Sequence, residues 1–126
     1  MSFSIRLICM PFDGPMSYSK SNGARDGVVI MTLDGPLTLR NIFQFQKDIS
    51  VDPPAVLIFD LSKVEYMDSA GIGVLINYYV SAQRSGRRMT LVGANHRLDA
   101  LLEMTKVKEL LKNHPTVEAA EASFSE

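Results

Sequence analysis

The chain has 126 residues, a length that suits one domain with a single buried core and is short for two. Hydrophobic residues make up 46% and charged residues 21%, which is typical of folded globular proteins and excludes a largely disordered chain. The 13 basic and 14 acidic residues nearly cancel, which argues against direct binding of nucleic acid or of an anionic membrane surface. We therefore expect residues 1–126 to form a single domain.

The cysteine content and the length of the apolar runs indicate the cellular compartment of the protein. Cys9 is the single cysteine, so an internal disulfide and a thiolate zinc cage are both excluded, as suits a reducing compartment. The N-terminus lacks the pattern of a signal peptide, and no run approaches the roughly 18 apolar residues of a membrane span. We expect a cytoplasmic protein without membrane insertion, and the sequence indicates no cofactor or metal site.

The N-terminal third predicts two strands joined by a long connection. Residues 3–10 are apolar enough for a first strand, and residues 28–33 are rich in β-branched side chains, which favours a second strand antiparallel to it. Glycine, proline and serine crowd between them, so residues 11–27 are predicted to be a long loop. A loop of that length is either a disordered insertion or an additional recognition element.

A helix and a buried strand are predicted next. Thr38 can cap a helix from about residue 39 to residue 49, on which apolar side chains recur at helical spacing. The apolar side chains are Leu39, Ile42, Phe43, Phe45 and Ile49, and the polar Gln46 shares their helical spacing. Residues 55–60 are so uniformly apolar that we expect a central parallel strand that is buried on both faces.

The second half predicts helices alternating with a strand. A helix begins near Asp68 or Ser69 and ends at residues 85–86, where glycine can take the left-handed closing conformation. A strand over residues 88–93, a helix from Asn95 and a short helix over residues 118–124 follow. The predicted fold is an α/β domain with a mixed, mostly parallel sheet of about four to five strands and helices packed against it.

The start of the helix after the central strand holds a serine and two glycines. An oxygen of Asp68 or Ser69 can cap the unpaired amides there, and the same amides can accommodate a phosphate. Gly71 and Gly73 each cost about 1 kcal/mol inside a helix relative to alanine, so something approaches the backbone closely. The spacing leaves open whether this is a partner or tight packing within the domain itself.

Four sequence segments carry a resemblance to a known family. They are DLSKV at residues 60–64, MDSAGIGVL at residues 67–75, GRRMTLV at residues 86–92 and LLEMT at residues 101–105. In this order they resemble the STAS domains, and within them the bacterial anti-sigma factor antagonists, over about residues 28 to 124. Pro36 departs from the pattern, because many antagonists have an acidic residue after the preceding glycine.

The resemblance implies a switchable binding module without catalytic residues. In such antagonists the unphosphorylated protein binds an anti-sigma factor that is also a serine kinase, and a sigma factor is released. Phosphorylation of the serine that matches Ser69 prevents the binding. The implied partner-binding positions are Asp68, Ser69, Ala70, Gly71, Gly73 and Asn77, with Asp68 shaping the turn.

Two other functions remain open at the level of sequence. STAS domains also occur as constitutive parts of transporters and stress-sensing assemblies, where Ser69 would be only a helix cap. An enzyme would need His96 or His114 within hydrogen-bond reach of Ser69, yet both histidines have the sequence context of surface turns. No Gly-x-Ser-x-Gly elbow is present, which argues further against a hydrolase, and as a binding module the protein is expected to have no enzymatic activity.

Side chains near the end of the same helix have structural interpretations. Arg84, Arg87 and Arg88 favour the helix dipole and need no ligand to explain them. By helical phase Tyr79 is predicted to point into the core and Tyr78 towards another face, either exposed to a partner or packed under a neighbouring helix.

Overall fold

The computed structural model describes residues 16–123, which form one sheet with helices packed on both of its faces. The strands are β1 (Ser17–Asn22), β2 (Val28–Asp34), β3 (Val56–Lys63), β4 (Arg88–Val92) and β5 (Asn113–His114). The helices are α1 (Phe43–Ser50), α2 (Ser69–Arg84), α3 (His96–Met104) and α4 (Val117–Ser123). The spatial strand order is β1-β2-β3-β4-β5, with β1 antiparallel and the other pairings parallel. The predicted α/β class and mostly parallel sheet are confirmed.

The first hairpin corrects the prediction of a long loop. β1 pairs with β2 from Ser17 opposite Asp34 to Asn22 opposite Val29, so Ser17–Asn22 is a strand. The turn between the two strands is short, and the Gly23 amide donates to the Val28 carbonyl oxygen across 2.8 Å. β1 has a polar sequence because it lies at the edge of the sheet with most of its side chains exposed. The strand predicted at residues 3–10 and residues 11–15 lie outside the described residues.

One side chain of β1 ties the hairpin to α1. Tyr18 packs edge-to-face on Phe45 at 5.3 Å between ring centroids, and its hydroxyl donates to the Asp48 carboxylate. Burial and this hydrogen bond to a carboxylate raise the pKa of Tyr18 to about 12. The same hydrogen bond is the main reason that the pKa of Asp48 is lowered. The edge strand is thus fixed by an anchored tyrosine.

The central strand β3 is buried on both faces, as predicted from its apolar run. Leu57 and Phe59 belong to the larger core cluster, which includes buried side chains of α1, α2 and α3. Ile58 points to the opposite face, where it packs with Val28, Val92 and Ala120 of α4. This alternation along β3 follows the two-residue period of a strand.

The helix predicted from Leu39 begins later, at Phe43. Asn41 stabilises a turn instead, because its side-chain oxygen accepts the Thr38 amide at 2.9 Å and its side-chain amide donates to the Pro36 carbonyl at 2.7 Å. Thr38 is therefore not a helix cap, and its buried Oγ1 has no partner among the described residues. Leu39 and Phe43 are 57% and 63% exposed, so the predicted apolar face is divided by the turn.

The second half follows the prediction closely except at one short strand. α2 begins at Ser69 and closes before Gly86, which has φ +72°, and α3 begins after Asn95 as its N-cap. β5 was not predicted, since its two residues carry polar side chains and it exists through pairing with Leu91 and Val92 of β4.

The prediction for the paired tyrosines of α2 is wrong in its first part. Tyr78 is 6% exposed and packs edge-to-face on Phe59 at 5.6 Å, whereas Tyr79 is half-buried. The buried side of α2 is centred on Gly71, Leu75, Tyr78 and Ala82, so Tyr79 lies at its flank. Burial raises the pKa of Tyr78, and the nearby Arg87 partly opposes this effect.

Candidate functional site

Asp68 joins the start of α2 to the turn over residues 38–41. One carboxylate oxygen, Oδ1, accepts the Gly71 amide at 3.0 Å, and the other, Oδ2, accepts the Leu39 amide at 3.1 Å. The Asp68 amide in turn donates to the Leu37 carbonyl oxygen at 3.2 Å. Asp68 is therefore the N-cap that the sequence assigned to either Asp68 or Ser69, and it also fixes the neighbouring turn.

Ser69 is the first residue of α2 and is exposed. Within residues 16–123 its hydroxyl makes no hydrogen bond, since the capping role belongs to Asp68. Amides in the first turn of a helix carry partial positive charge, which favours a negatively charged group attached nearby. A phosphoryl group on this oxygen would break no hydrogen bond of the part of the chain that the structure describes.

The two glycines of α2 have different surroundings. Gly71 is buried, and a Cβ atom placed on it would lie 2.5 Å from the Leu37 carbonyl oxygen and 2.7 Å from Met67 Cγ. Gly73 is partly exposed, and a Cβ atom there would meet nothing within 4 Å. Gly71 is thus required for packing inside the domain, which is one of the two explanations that the sequence left open for it. At Gly73 the backbone of α2 is accessible from the surface.

The remaining predicted positions lie on one exposed side of α2. Ser69, Gly73 and Asn77 follow one another at four-residue spacing, which places them along one helix face. Asn77 is exposed, and Ala70 is half-buried beside them. Together with Ser69 they form a surface with little charge and little side-chain bulk.

Leu39 adds an apolar group to this surface, and the sequence prediction missed it. Its side chain is 57% exposed, and its amide is bound to the Asp68 carboxylate, so it lies next to the start of α2. The prediction assigned Leu39 to the buried face of a helix. Asn41, three residues after Thr38, was the available signal for a turn at this point.

The described residues give no support for a catalytic or metal site at Ser69. His96 begins α3 and His114 lies in β5, and neither histidine hydrogen-bonds to Ser69 in the part of the chain that the structure describes. Over residues 16–123 there is also no group of three or more His, Cys, Asp or Glu side chains placed to hold a metal. None of the described helices is long and apolar enough to cross a membrane.

Arg87 has the structural role predicted for it. Its guanidinium donates to the Tyr78 hydroxyl at 3.1 Å and to Ser81 Oγ at 3.1 Å, and it lies 5.3 Å from the centroid of the Tyr78 ring. These contacts fix the end of α2 against the chain that leads into β4.

The chain is similar in sequence and in fold to known proteins. A protein of Thermotoga maritima that carries a provisional name as an anti-sigma factor antagonist is 31% identical over 99 residues, which are 75% of this chain and 88% of the relative. The structure of the Bacillus protein SpoIIAA in its phosphorylated form matches with a TM-score of 0.67 at 15% identity, covering 85% of this chain and 99% of SpoIIAA. SpoIIAA has also been solved unphosphorylated, as an anti-sigma factor antagonist, with a TM-score of 0.72.

A membrane transporter contains the same fold. The murine anion transporter Slc26a9 matches with a TM-score of 0.69 at 19% identity, covering 94% of this chain and 23% of the transporter. At these identities the solved structures show a shared fold. Residues 19–120 match the family described as the STAS domain. The chain therefore belongs to the STAS domain family.

Proposed function

We propose that this protein is an anti-sigma factor antagonist whose binding is switched by phosphorylation of Ser69. In the unphosphorylated form it binds an anti-sigma factor that is also a serine kinase, and a sigma factor is released. Its role in transcription is then protein binding in the cytoplasm, without catalysis and without direct contact to nucleic acid. The observation that carries this proposal is the exposed hydroxyl of Ser69, which has no hydrogen bond within residues 16–123, at the start of a helix that Asp68 already caps.

The docking face that we propose consists of Leu39, Ser69, Ala70, Gly73 and Asn77. None of these side chains carries a charge, and the cores of protein interfaces are depleted of charged residues. Leu39 supplies exposed apolar area, while Gly73 allows a partner to approach the backbone of α2 without meeting a Cβ atom. The Asp68 carboxylate holds Leu39 and α2 together, so the face is formed before binding.

Phosphorylation would act on this face through charge and desolvation. A phosphoserine carries about 1.5 to 2 negative charges at neutral pH. On Ser69 this charge would lie beside the Asp68 carboxylate, and an uncharged interface would have to bury both. A penalty of about 2 to 3 kcal/mol weakens binding roughly a hundredfold, which is enough for a switch.

The test begins with the cognate kinase. The protein is incubated with the kinase and ATP, the phosphorylated residue is located by mass spectrometry, and binding is then measured for wild type, Ser69→Ala and Ser69→Asp. Ser21→Asp is the matched control, because Ser21 is exposed on the edge strand β1 and receives the same charge. We expect phosphate on Ser69 and loss of binding for Ser69→Asp alone. An unmodified Ser69 together with normal binding by Ser69→Asp would refute the proposal.

A second function is a constitutive STAS subunit of a transporter or stress-sensing complex. It is favoured by the likeness in fold to 23% of an anion transporter, and under this function Ser69 is only an exposed residue at a helix start. Purification of the tagged protein from native cells distinguishes the two functions. Equal recovery of one membrane transporter by wild type, Ser69→Ala and Ser69→Asp would favour the constitutive subunit.

A further inference from the structure

A small cleft lies between α1 and α2, beside the docking face. Its volume is about 120 Å³, and Asn77 of the docking face lines it together with Gln46 and Ser50 of α1. A single water needs a cavity of roughly 10 to 15 Å³, whereas sites for drug-sized ligands have volumes of roughly 300 to 1,000 Å³. The cleft is therefore large enough for the end of one side chain and too small for a drug-sized ligand.

The row of α2 residues that begins at Ser69 leads into this cleft. Ser81 follows Ser69, Gly73 and Asn77 at the same four-residue spacing. A row with this spacing is inclined to the helix axis, and here it turns from the exposed side of α2 towards α1, since Asn77 and Ser81 both line the cleft. From Ser69 to Ser81 the helix rises about 18 Å. A standard interface covers about 800 Å² on each partner, so a protein on the docking face can also cover the cleft.

Arg87 is the charged residue among the described residues that line the cleft. Its guanidinium donates from Nη1 to the Tyr78 hydroxyl and from Nη2 to the Ser81 hydroxyl, each at 3.1 Å. A guanidinium has five N–H groups, so three remain for a further acceptor. Within residues 16–123 this guanidinium forms no ion pair with a carboxylate. The part of the chain that the structure describes thus holds a cation in the cleft without supplying its counter-charge.

Two side-chain amides line the cleft together with Arg87. Gln46 is half-buried and Asn77 is exposed, and neither side chain forms a hydrogen bond within the described residues. Each amide nitrogen carries two N–H groups that can donate to an oxygen of a ligand. The Ser50 hydroxyl, by contrast, already donates to the Gln46 carbonyl oxygen at 2.8 Å. The free donors of the cleft therefore belong to Arg87, Gln46 and Asn77.

A protein that covers the cleft would remove the Arg87 guanidinium from water. Burial of a charge without a counter-charge is strongly unfavourable, whereas a carboxylate supplies both the opposite charge and acceptors for the remaining N–H groups. Because the hydroxyls of Tyr78 and Ser81 already hold the guanidinium, less side-chain entropy is lost when it pairs. A partner with a carboxylate at this point is thus favoured over one that places a neutral or cationic group there.

We propose that the protein that docks on α2 inserts an aspartate or glutamate side chain into this cleft, where its carboxylate pairs with Arg87. The side-chain amides of Gln46 and Asn77 donate to the same carboxylate. This inference rests on the function proposed above, because it names a contact of the same partner. It gives the interface an attractive charge pair at the far end of the row from Ser69, where an added negative charge would weaken binding.

The experiment measures the affinity of the unphosphorylated full chain for the cognate anti-sigma kinase by calorimetry. Arg87→Gln should weaken binding by at least about tenfold. Lys112→Gln is the matched control, because it removes the same charge from an exposed residue that does not line the cleft, and its affinity should equal that of wild type. Arg87→Lys keeps the charge and should bind more tightly than Arg87→Gln. Circular dichroism and urea unfolding verify that each variant is folded.

Substitutions in the kinase separate pairing from a purely structural role of Arg87. Each exposed aspartate or glutamate of the kinase is replaced in turn by asparagine or glutamine, and each variant is measured against wild type and Arg87→Gln. We expect one kinase variant to lose about tenfold in affinity for wild type and to bind Arg87→Gln as the unaltered kinase does. A residue that only stabilised the end of α2 would produce losses that add for every kinase variant.

The possible failures distinguish this inference from the proposed function. Wild-type affinity of Arg87→Gln would overturn the inference and leave the Ser69 switch intact. Equal losses for Arg87→Gln and Lys112→Gln, or additive losses for every kinase variant, would also overturn it. If the unphosphorylated wild type did not bind the kinase, both the proposed function and this contact would be refuted.

Discussion

The two ends of α2 differ in the side chains that they carry and in how these are held. At its start, Ser69 and Gly73 lie on an uncharged face, and the Asp68 carboxylate is bound to two backbone amides. At its end, the Arg87 guanidinium donates to the hydroxyls of Tyr78 and Ser81 and lies beside the Tyr78 ring. The difference is that the Ser69 hydroxyl is exposed at one end of the helix, whereas at the other end the Arg87 side chain is held by hydrogen bonds.

The largest expected effect tests how tightly the start of α2 is packed. Gly71→Ala should lower the free energy of unfolding by about 3 kcal/mol, because the added Cβ overlaps the backbone oxygen of Leu37. Urea unfolding followed by circular dichroism measures this change. A loss below about 0.5 kcal/mol, the range of ordinary surface substitutions, would show that the contact between α2 and Leu37 is looser than described.

The N-cap at the start of α2 should contribute less to the free energy of unfolding than the packing of Gly71 does. Asp68→Ala removes both hydrogen bonds of the carboxylate and should cost about 1 to 2 kcal/mol of stability. Ser69→Ala is the matched control, since the Ser69 hydroxyl makes no hydrogen bond within the described residues, and its cost should stay within about 0.5 kcal/mol. A larger loss of stability for Ser69→Ala than for Asp68→Ala would show that Ser69 is the N-cap.

Gly73 sharpens the contrast between packing and open surface. Gly73→Ala should raise stability by about 0.5 to 1 kcal/mol, because alanine is the better helix former and its Cβ meets nothing within 4 Å. The same variant should bind the anti-sigma kinase less tightly if the partner approaches this backbone. Destabilisation comparable to that of Gly71→Ala would contradict the distinction between the two glycines.

The smallest effect concerns the end of α2 at high pH. Burial raises the pKa of Tyr78 above its usual value of 10.0, so the folded state disfavours the phenolate. The contribution of the Tyr78 hydroxyl to the free energy of unfolding is fully present below pH 10.0, and it is lost as the pH rises through the pKa of Tyr78 in the folded state. Tyr78→Phe should therefore lose less stability than wild type between about pH 9 and pH 11 in urea unfolding. Equal losses would show that Tyr78 does not contribute.

The elements that the sequence predicted well carry their signals locally. The apolar run of β3 requires burial on both faces, and Asp68 and Gly86 determine the ends of α2 by capping chemistry. β1 and β5 escaped prediction because their polar residues become strands only through pairing with β2 and β4. Local sequence signals therefore determine α2 and β3, whereas pairing with a neighbouring strand determines the edge strands β1 and β5.

The sequence located the start of α2 but not the surroundings of its residues. The helix start at Asp68 or Ser69 was predicted from capping chemistry, yet the packing of Gly71 and the openness of Gly73 depend on what surrounds each, which spacing cannot reveal. The exposure of Leu39 follows from the turn that Asn41 stabilises through side-chain hydrogen bonds to the Thr38 amide and the Pro36 carbonyl, a local signal that the prediction passed over in favour of the helical spacing of apolar residues. The positions adjacent in sequence were thus accessible to prediction, whereas the contacts between segments required the fold.

The most direct test of the central claim is a comparison of two forms of the same protein. The affinity for the cognate anti-sigma kinase is measured by calorimetry before and after complete phosphorylation of Ser69. Our account predicts that the phosphorylated form binds at least about a hundredfold more weakly, since the added charge lies within the docking face. Equal affinity of the two forms would contradict the proposal that Ser69 is the switch.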